Sequence, residues 1–135
     1  VAMVGDGSLR SQVEEEINKL SLNKNIVLFG NQINPYKILL NSKILVITSK
    51  YEGMPMNALE AIACNIPVVS TPVDGLLDII DRKYLCKTDQ DFVEIMLKIL
   101  NSEEVRKHYK NKLSVLDKKL NNTVDFSNSI SRLYN

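Results

Sequence analysis

Tryptophan is missing from this sequence, histidine occurs once and cysteine twice. Those shortages remove several chemistries at the outset. Cys64 and Cys86 stand far apart, with no Cys-x-x-Cys pattern and no histidine beside them, so they read as small buried residues of a reducing compartment and not as metal ligands. The single histidine, His108, lies in the charged stretch "EEVRKHYKNKL"; a solvated helix face is its expected home, and it is a poor general base. No run of about 18 apolar residues and no charged-then-apolar leader is present, so neither a membrane span nor a secretion signal is expected. Charge of one sign is also lacking: 17 basic and 16 acidic residues leave a net charge of +1. The basic residues are scattered, not set in a stripe that tracks a nucleic-acid backbone, and nucleic acid is not an expected partner.

What is there is a hydrophobic share of 44% over 135 residues, enough to build the core of one compact α/β domain and too little for two. The chain opens on "VAMVGDG" without an initiator methionine, and a fragment of a longer protein is expected. "VAMV" is a short apolar run stopped by Gly5, and Ser8 is placed to cap a helix carrying Leu9, Val13, Ile17 and Leu20 at helical spacing. "NIVLFG" repeats the strand signal, and Asn34-Pro35 supplies a cap and a first helical residue for "YKILLNS". "KILVIT" is a third strand, apolar enough for a parallel sheet covered on both faces. Pro55 opens a helix, "PMNALEAIAC", with Ala58, Leu59, Ile62 and Ala63 toward the sheet, and "IPVVS" is a fourth strand. A turn "TPVDG", an apolar segment "LLDII" and a short strand around "YLCK" follow.

Beyond them Thr88 is placed to cap "DQDFVEIMLKIL", with Asp91 at the capping-box position and Phe92, Ile95, Met96, Ile99 and Leu100 as the apolar stripe. Ser102 caps the next helix, and residues 121–135, with Val124, Phe126, Ile130 and Leu133, read as a helical tail. Alternating strands and helices joined by right-handed crossovers predict a doubly wound, Rossmann-like parallel sheet. Ligands on such sheets sit outside the carboxyl ends of the strands, where the "GDGS" and "SKYEGMP" loops fall.

The second loop carries the more informative chemistry. A helix starting at Pro55 leaves its first N–H groups without intrahelical partners, and that end attracts an anion such as phosphate. Gly53 lets the backbone turn sharply and a ligand come close to the amides. Glu52 stands before the turn and Glu60 inside the helix. A carboxylate accepts paired hydrogen bonds from vicinal hydroxyls, so a ligand combining phosphates with sugars, a nucleotide sugar, accounts for both acids. Spacing alone carries nothing: either acid by itself reads as an ordinary helix-surface or loop residue. The surrounding order of strand, Gly-x-Pro turn, helix and apolar strand gives the pair its meaning.

"YEGMPMNALEAIACNIPVVST" resembles the donor-binding signature of the family 4 retaining glycosyltransferases, and "VGDGSLRSQVEEEINKLSLNKNIVLFGNQINPYKIL" is similar to that family's Gly-x-Gly unit, strand end and Asn-Pro-Tyr helix start. The likeness covers roughly the first eighty residues and weakens beyond Asp78. It implies the C-terminal, donor-binding half of a GT-B enzyme over residues 1–135, with the first strand-helix unit and the acceptor domain absent. By the family's pattern Glu52 contacts hydroxyls of the donor sugar in the catalytic site and Glu60 the ribose hydroxyls. The amides of Gly53, Met54, Pro55-Met56 and Asn57 meet sugar and diphosphate, Gly30 to Gln32 border the base, and the Gly5-Asp6-Gly7 loop lines the cleft. No metal or cofactor is implied; the substrate is a UDP- or GDP-sugar and the acceptor a glycan or lipid-linked molecule. The resemblance further implies a bacterial polysaccharide pathway in the cytoplasm, at the inner face of the membrane, with peripheral membrane contact through the missing half.

Some departures bear on this. The Arg and Lys that the family sends to the diphosphate precede the Gly-x-Gly strand and are not in this chain, so the fragment by itself is expected to be inactive. Asn65 replaces the usual glycine after the helix and tolerates the same left-handed conformation. "KYLCK" replaces a Gly-Leu-Leu segment, and Asp78 stands where a Glu is frequent. A dinucleotide dehydrogenase is excluded, because "GDGSLR" puts Arg10 at the third glycine position. A sugar-nucleotide epimerase of related fold and a non-catalytic nucleotide- or partner-binding domain remain as alternatives.

Overall fold

The structure, a computed structural model, describes residues 1–77 and 79–109. Asp78 and the expected tail helix at 121–135 lie outside the described residues. The chain separates into two compact units, Val1–Ile38 and Leu39–Asn135.

In the first unit β1 (Ala2–Met3) pairs in parallel with β2 (Val27–Leu28), joined through α1 (Arg10–Lys19). The helix starts one residue later than expected. Leu9 is its N-cap and no side chain caps it, so Ser8 does not play the role given to it; Asp6, Arg10 and Glu14 instead form a string of exposed ion pairs along the first turns. Of the expected stripe only Ile17 is buried, with Val13 half-buried and Leu9 and Leu20 exposed. The helix ends in a Schellman motif: Leu22 N–H donates to Ile17 O and Ser21 N–H to Asn18 O, which puts Ser21 at φ 56°. Asn34 does not cap α2 (Tyr36–Leu40); its Oδ1 is buried without a hydrogen-bond partner, and Pro35 O instead accepts from Ile38 N–H in the turn that opens the helix.

In the second unit β3 (Leu45–Ile47) pairs in parallel with β4 (Val68–Ser70) across α3 (Met56–Ala63). The strands are shorter than the apolar runs that encode them. β4 is buried over its whole length and α3 and α4 (Asp89–Asn101) both pack on it, with Ile62, Leu76 and Ile99 filling the core. β3 is not covered on both faces as expected, because Val46 is exposed. On α3 the buried set is Ala58, Ala61 and Ile62; Leu59 and Ala63 are half-buried, since Ala61 sits on the inner face. Asn65 takes φ 56° in a second Schellman motif, with Ile66 N–H on Ala61 O and Asn65 N–H on Ile62 O, the left-handed role expected of it.

The segment after β4 departs from the sequence reading. "LLDII" begins inside a 3-10 turn (Asp74–Leu76), and "YLCK" starts on the last residue of a second one (Arg82–Tyr84) and makes one parallel bridge, Ser70 to Leu85, in place of a strand. Tyr109, in the helical stretch over 103–109, occupies part of the edge where a further strand would lie. Its hydroxyl donates to Val68 O at 2.7 Å and accepts from Val68 N–H at 3.0 Å, while its ring packs on Tyr84 at 4.3 Å. Cys86 is buried beside it in the same core, and burial, with the nearby charge of Asp91 adding, pushes its thiol up to about 11. Such a thiol is inert, as the sequence suggested.

α4 begins on the expected capping box: Asp91 N–H donates to Thr88 Oγ1 at 3.2 Å and Thr88 N–H to Asp91 Oδ2 at 2.9 Å. Leu100 drops out of the expected stripe and is exposed. Ser102 accepts from Val105 N–H at 3.2 Å and so caps the next turn as expected. Backbone N–H bonds from Lys87 and then Thr88 hold the Asp91 carboxyl below its usual range. A depressed acid contributes stability that is present above the ordinary carboxylate pKa, about pH 4, and lost as pH falls through the lower folded value. Asp91→Asn is therefore expected to flatten the acid limb of the stability profile below about pH 4, as read by chemical unfolding across pH; an unchanged limb would remove Asp91 from this role.

Candidate functional site

Each unit carries one part of the expected site, and each part is built by itself. In the first, Gly5 N–H donates to Gly30 O at 2.8 Å, closing an antiparallel bridge. Gly30 sits at φ 64°, a left-handed conformation that favours glycine, and a Cβ there would lie 3.3 Å from the Arg10 guanidinium, which would have to give by a few tenths of an ångström. Arg10, which replaces the third glycine of a dinucleotide motif, is held charged first by its bond to Glu14 and then by Asp6. The Gln32 side chain turns back to donate to Phe29 O at 2.7 Å, and Gly7 is exposed with open space around it. The structure thus brings Gly5 and Gly30 together and leaves Gln32 occupied with its own loop.

In the second unit the candidate residues gather at the carboxyl ends of β3 and β4. α3 begins at Met56, with Pro55 as N-cap; no side chain caps it and its first turn holds no acid. A helix start with neither cap nor carboxylate keeps its positive end available to an anion. Pro55 is buried, whereas Gly53, Met54, Met56 and Asn57 are exposed. The tight glycine turn expected at residue 53 takes another form. Gly53 is not among the residues with positive φ, and a Cβ built there meets nothing within 4 Å. The fold does not require a glycine at this point; it leaves room above the backbone.

The residue that does require one is Gly75, in the turn after β4. A Cβ on Gly75 would overlap the Gly53 carbonyl oxygen and lie 2.6 Å from its carbon and 2.9 Å from Met54 Cα. The Glu52-Gly53 turn is therefore seated directly on the Gly75 backbone. Glu52 is half-buried and its Oε1 accepts from the Ser49 hydroxyl at 2.8 Å. Ser49 is tied in turn by Thr71, whose hydroxyl donates to the Ser49 carbonyl and whose N–H donates to Ile47 O at 3.0 Å. Glu60 is half-buried within α3. Sequence reasoning found Glu52 and the helix start but missed Ser49, Thr71 and the load on Gly75. A hydroxyl three residues before the acid was the one local signal.

His108 is exposed, as expected. A cavity of about 250 Å³ opens at the opposite strand ends, between Lys43, Cys64, Pro67 and Arg106. Arg106, one of its lining cations, donates from Nη1 to Ile99 O at 2.8 Å, at the carbonyl end of α4. The Arg106 charge is thus matched by the negative end of that helix.

Parallel strands with a helix between them, an uncapped helix start at their carboxyl ends and a tethered acid beside it are the features of a Rossmann-like α/β domain. The family model described as glycosyl transferases group 1 matches residues 1–115, well past the eighty or so over which the resemblance was legible, and the chain belongs to that family. It is 31% identical to an uncharacterized glycosyltransferase of Methanocaldococcus jannaschii, over 82% of this chain and 36% of the relative. With the N-acetyl-alpha-D-glucosaminyl L-malate synthase of Bacillus anthracis it shares 26% identity, over 78% and 29%. Among solved structures it is similar to a TarM variant of S. aureus in complex with fondaparinux, alpha-GlcNAc-glycerol and UDP, with TM-score 0.78 and 28% identity over 85% of this chain and 24% of that one. The chain thus spans about a third of the length of the curated relatives, 36% and 29% of the two named. Its fold is that of the C-terminal, Rossmann-like domain of GT-B glycosyltransferases.

Proposed function

We propose that this chain is the donor-binding domain of a family 4 retaining glycosyltransferase that moves a sugar from a nucleoside diphosphate sugar to a glycan or lipid-linked acceptor. One observation carries the proposal: Glu52 is held by Ser49 beside the uncapped start of α3, at the carboxyl ends of β3 and β4. The amides from Gly53 to Asn57 take the sugar and diphosphate, Glu52 the sugar hydroxyls and Glu60 the ribose hydroxyls. The roles of Gly5, Gly7, Gly30 and Gln32 rest on the resemblance. The UDP bound in the TarM structure and the α-linked products named for relatives support this reading. Helix amides and basic side chains neutralise the leaving diphosphate without a resident metal, and the reaction takes place in the cytoplasm at the membrane's inner face. The diphosphate-binding cations and the acceptor domain come from the rest of the enzyme, so the isolated chain is expected to be inactive.

Calorimetric titration of the full-length protein with UDP, GDP and ADP tests the pocket. One of the three is expected to bind, and Glu60→Ala to weaken it by about tenfold or more, the loss of charge-assisted hydrogen bonds to the ribose. Glu52→Ala is expected to abolish transfer and leave nucleotide binding largely intact. Equal affinities for wild type and Glu60→Ala, or unchanged turnover in Glu52→Ala, would refute the corresponding assignment.

A further inference from the structure

The geometry points to Ser49 as a positioning residue that sets which face of the Glu52 carboxylate meets the sugar, an inference that rests on the proposed role of Glu52. A carboxylate at the end of a free side chain rotates among several orientations, and only one presents an oxygen edge to a given pair of hydroxyls. Here the Ser49 hydroxyl donates to Oε1 at 2.8 Å, and the bond is half-buried. Ser49 does not hold the acid from a loose loop. Its carbonyl accepts the Thr71 hydroxyl, and Thr71 N–H bonds to Ile47 O at 3.0 Å, so the tether is anchored where β3 and β4 end. With Oε1 held by Ser49, Oε2 carries no hydrogen bond among the described residues and is left for the sugar, so the order is established before binding.

A hydroxyl that only stabilised the loop would affect nucleotide and nucleotide sugar alike. One that orients Glu52 affects the sugar alone, because the nucleotide is held elsewhere in the site. The full-length protein is titrated with two pairs of probes, UDP with UDP-N-acetylglucosamine and GDP with GDP-mannose, and the pair that binds is carried forward. Ser49→Ala is expected to cut affinity for the sugar-bearing member about tenfold, with the bare diphosphate within about twofold of wild type, and Ser49→Thr to restore the preference. If Ser49→Ala fails to fold, Ser49→Cys, of similar volume and with a weak donor, takes its place in the same comparison.

Retention of the sugar preference in Ser49→Ala while Glu52→Ala loses it overturns the positioning role and leaves Glu52 in place. An equal loss for both members of the pair, or no recovery in Ser49→Thr, overturns it as well. Retention of the preference in Glu52→Ala removes the reading of Glu52 itself.

Discussion

Replacing Tyr109 by phenylalanine is expected to cost the fold about 2 to 6 kcal/mol, because the ring stays and only the hydroxyl leaves. That one oxygen satisfies both backbone groups of Val68, at 2.7 and 3.0 Å, in a residue with no exposed surface. Without it a buried N–H and a buried C=O lose their partners together, each at a cost of about 1–3 kcal/mol. Set against a typical total of about 5–15 kcal/mol, this is a large fraction of a domain's stability. The same hydroxyl has a signature in alkali. Burial raises its pKa, partly opposed by the Val68 backbone bond, so the protein gains stability that is complete below the ordinary phenol value near pH 10 and is lost as pH rises toward the higher folded value. Thermal unfolding at neutral pH and again above about pH 10 checks both points. A variant as stable as wild type, with the same alkaline loss, would mean that water replaces the phenol at the strand edge.

The other large effect separates two glycines that lie against each other. Gly75→Ala is expected to unseat the 53–54 turn, since the new methyl group would overlap the Gly53 carbonyl and lie 2.9 Å from Met54 Cα. Backbone cannot rotate away as a side chain does; a cost of about 1–3 kcal/mol in stability and loss of the proposed donor site are expected together. Gly53→Ala is the counterpart. Its Cβ meets nothing within 4 Å and its φ is ordinary, so melting is expected to be unchanged while nucleotide-sugar binding falls, the methyl group standing where the ligand approaches. If Gly53→Ala binds normally, the open space above residue 53 is not ligand space. If Gly75→Ala both melts and binds as wild type, the contact between the two turns does not constrain them.

These residues also show how much of the fold and site was legible beforehand. Thr88 and Asp91 were readable because a capping box is complete within four residues, and Asn65 because a left-handed helix end admits few side chains. Ser21 performs the same left-handed task at the end of α1 but is not a residue type that announces it. Ser8 and Asn34 had the right composition for caps and do not act as such; one gives way to the Asp6, Arg10 and Glu14 pairs, the other to a proline turn. The helix start at Pro55 and the acid before it were visible as pattern. The Ser49 tether, the Gly75 seat and the Tyr109 hydroxyl were not, because each joins segments 3 to 41 residues apart through a geometry that exists only after β3 and β4 have paired. "YLCK" has the composition of a strand, but the edge such a strand would complete is shared between one bridge at Ser70 and the phenol on Val68.

That division of labour has a bearing on biosynthesis. The residue that seals Val68 lies 41 positions later in the chain, so during translation this strand emerges with a raw margin and waits, hungry for a neighbour, until the later helix leaves the ribosome. A shortened gene ending ahead of that helix is expected to yield inclusion bodies even though every residue of both strands is present.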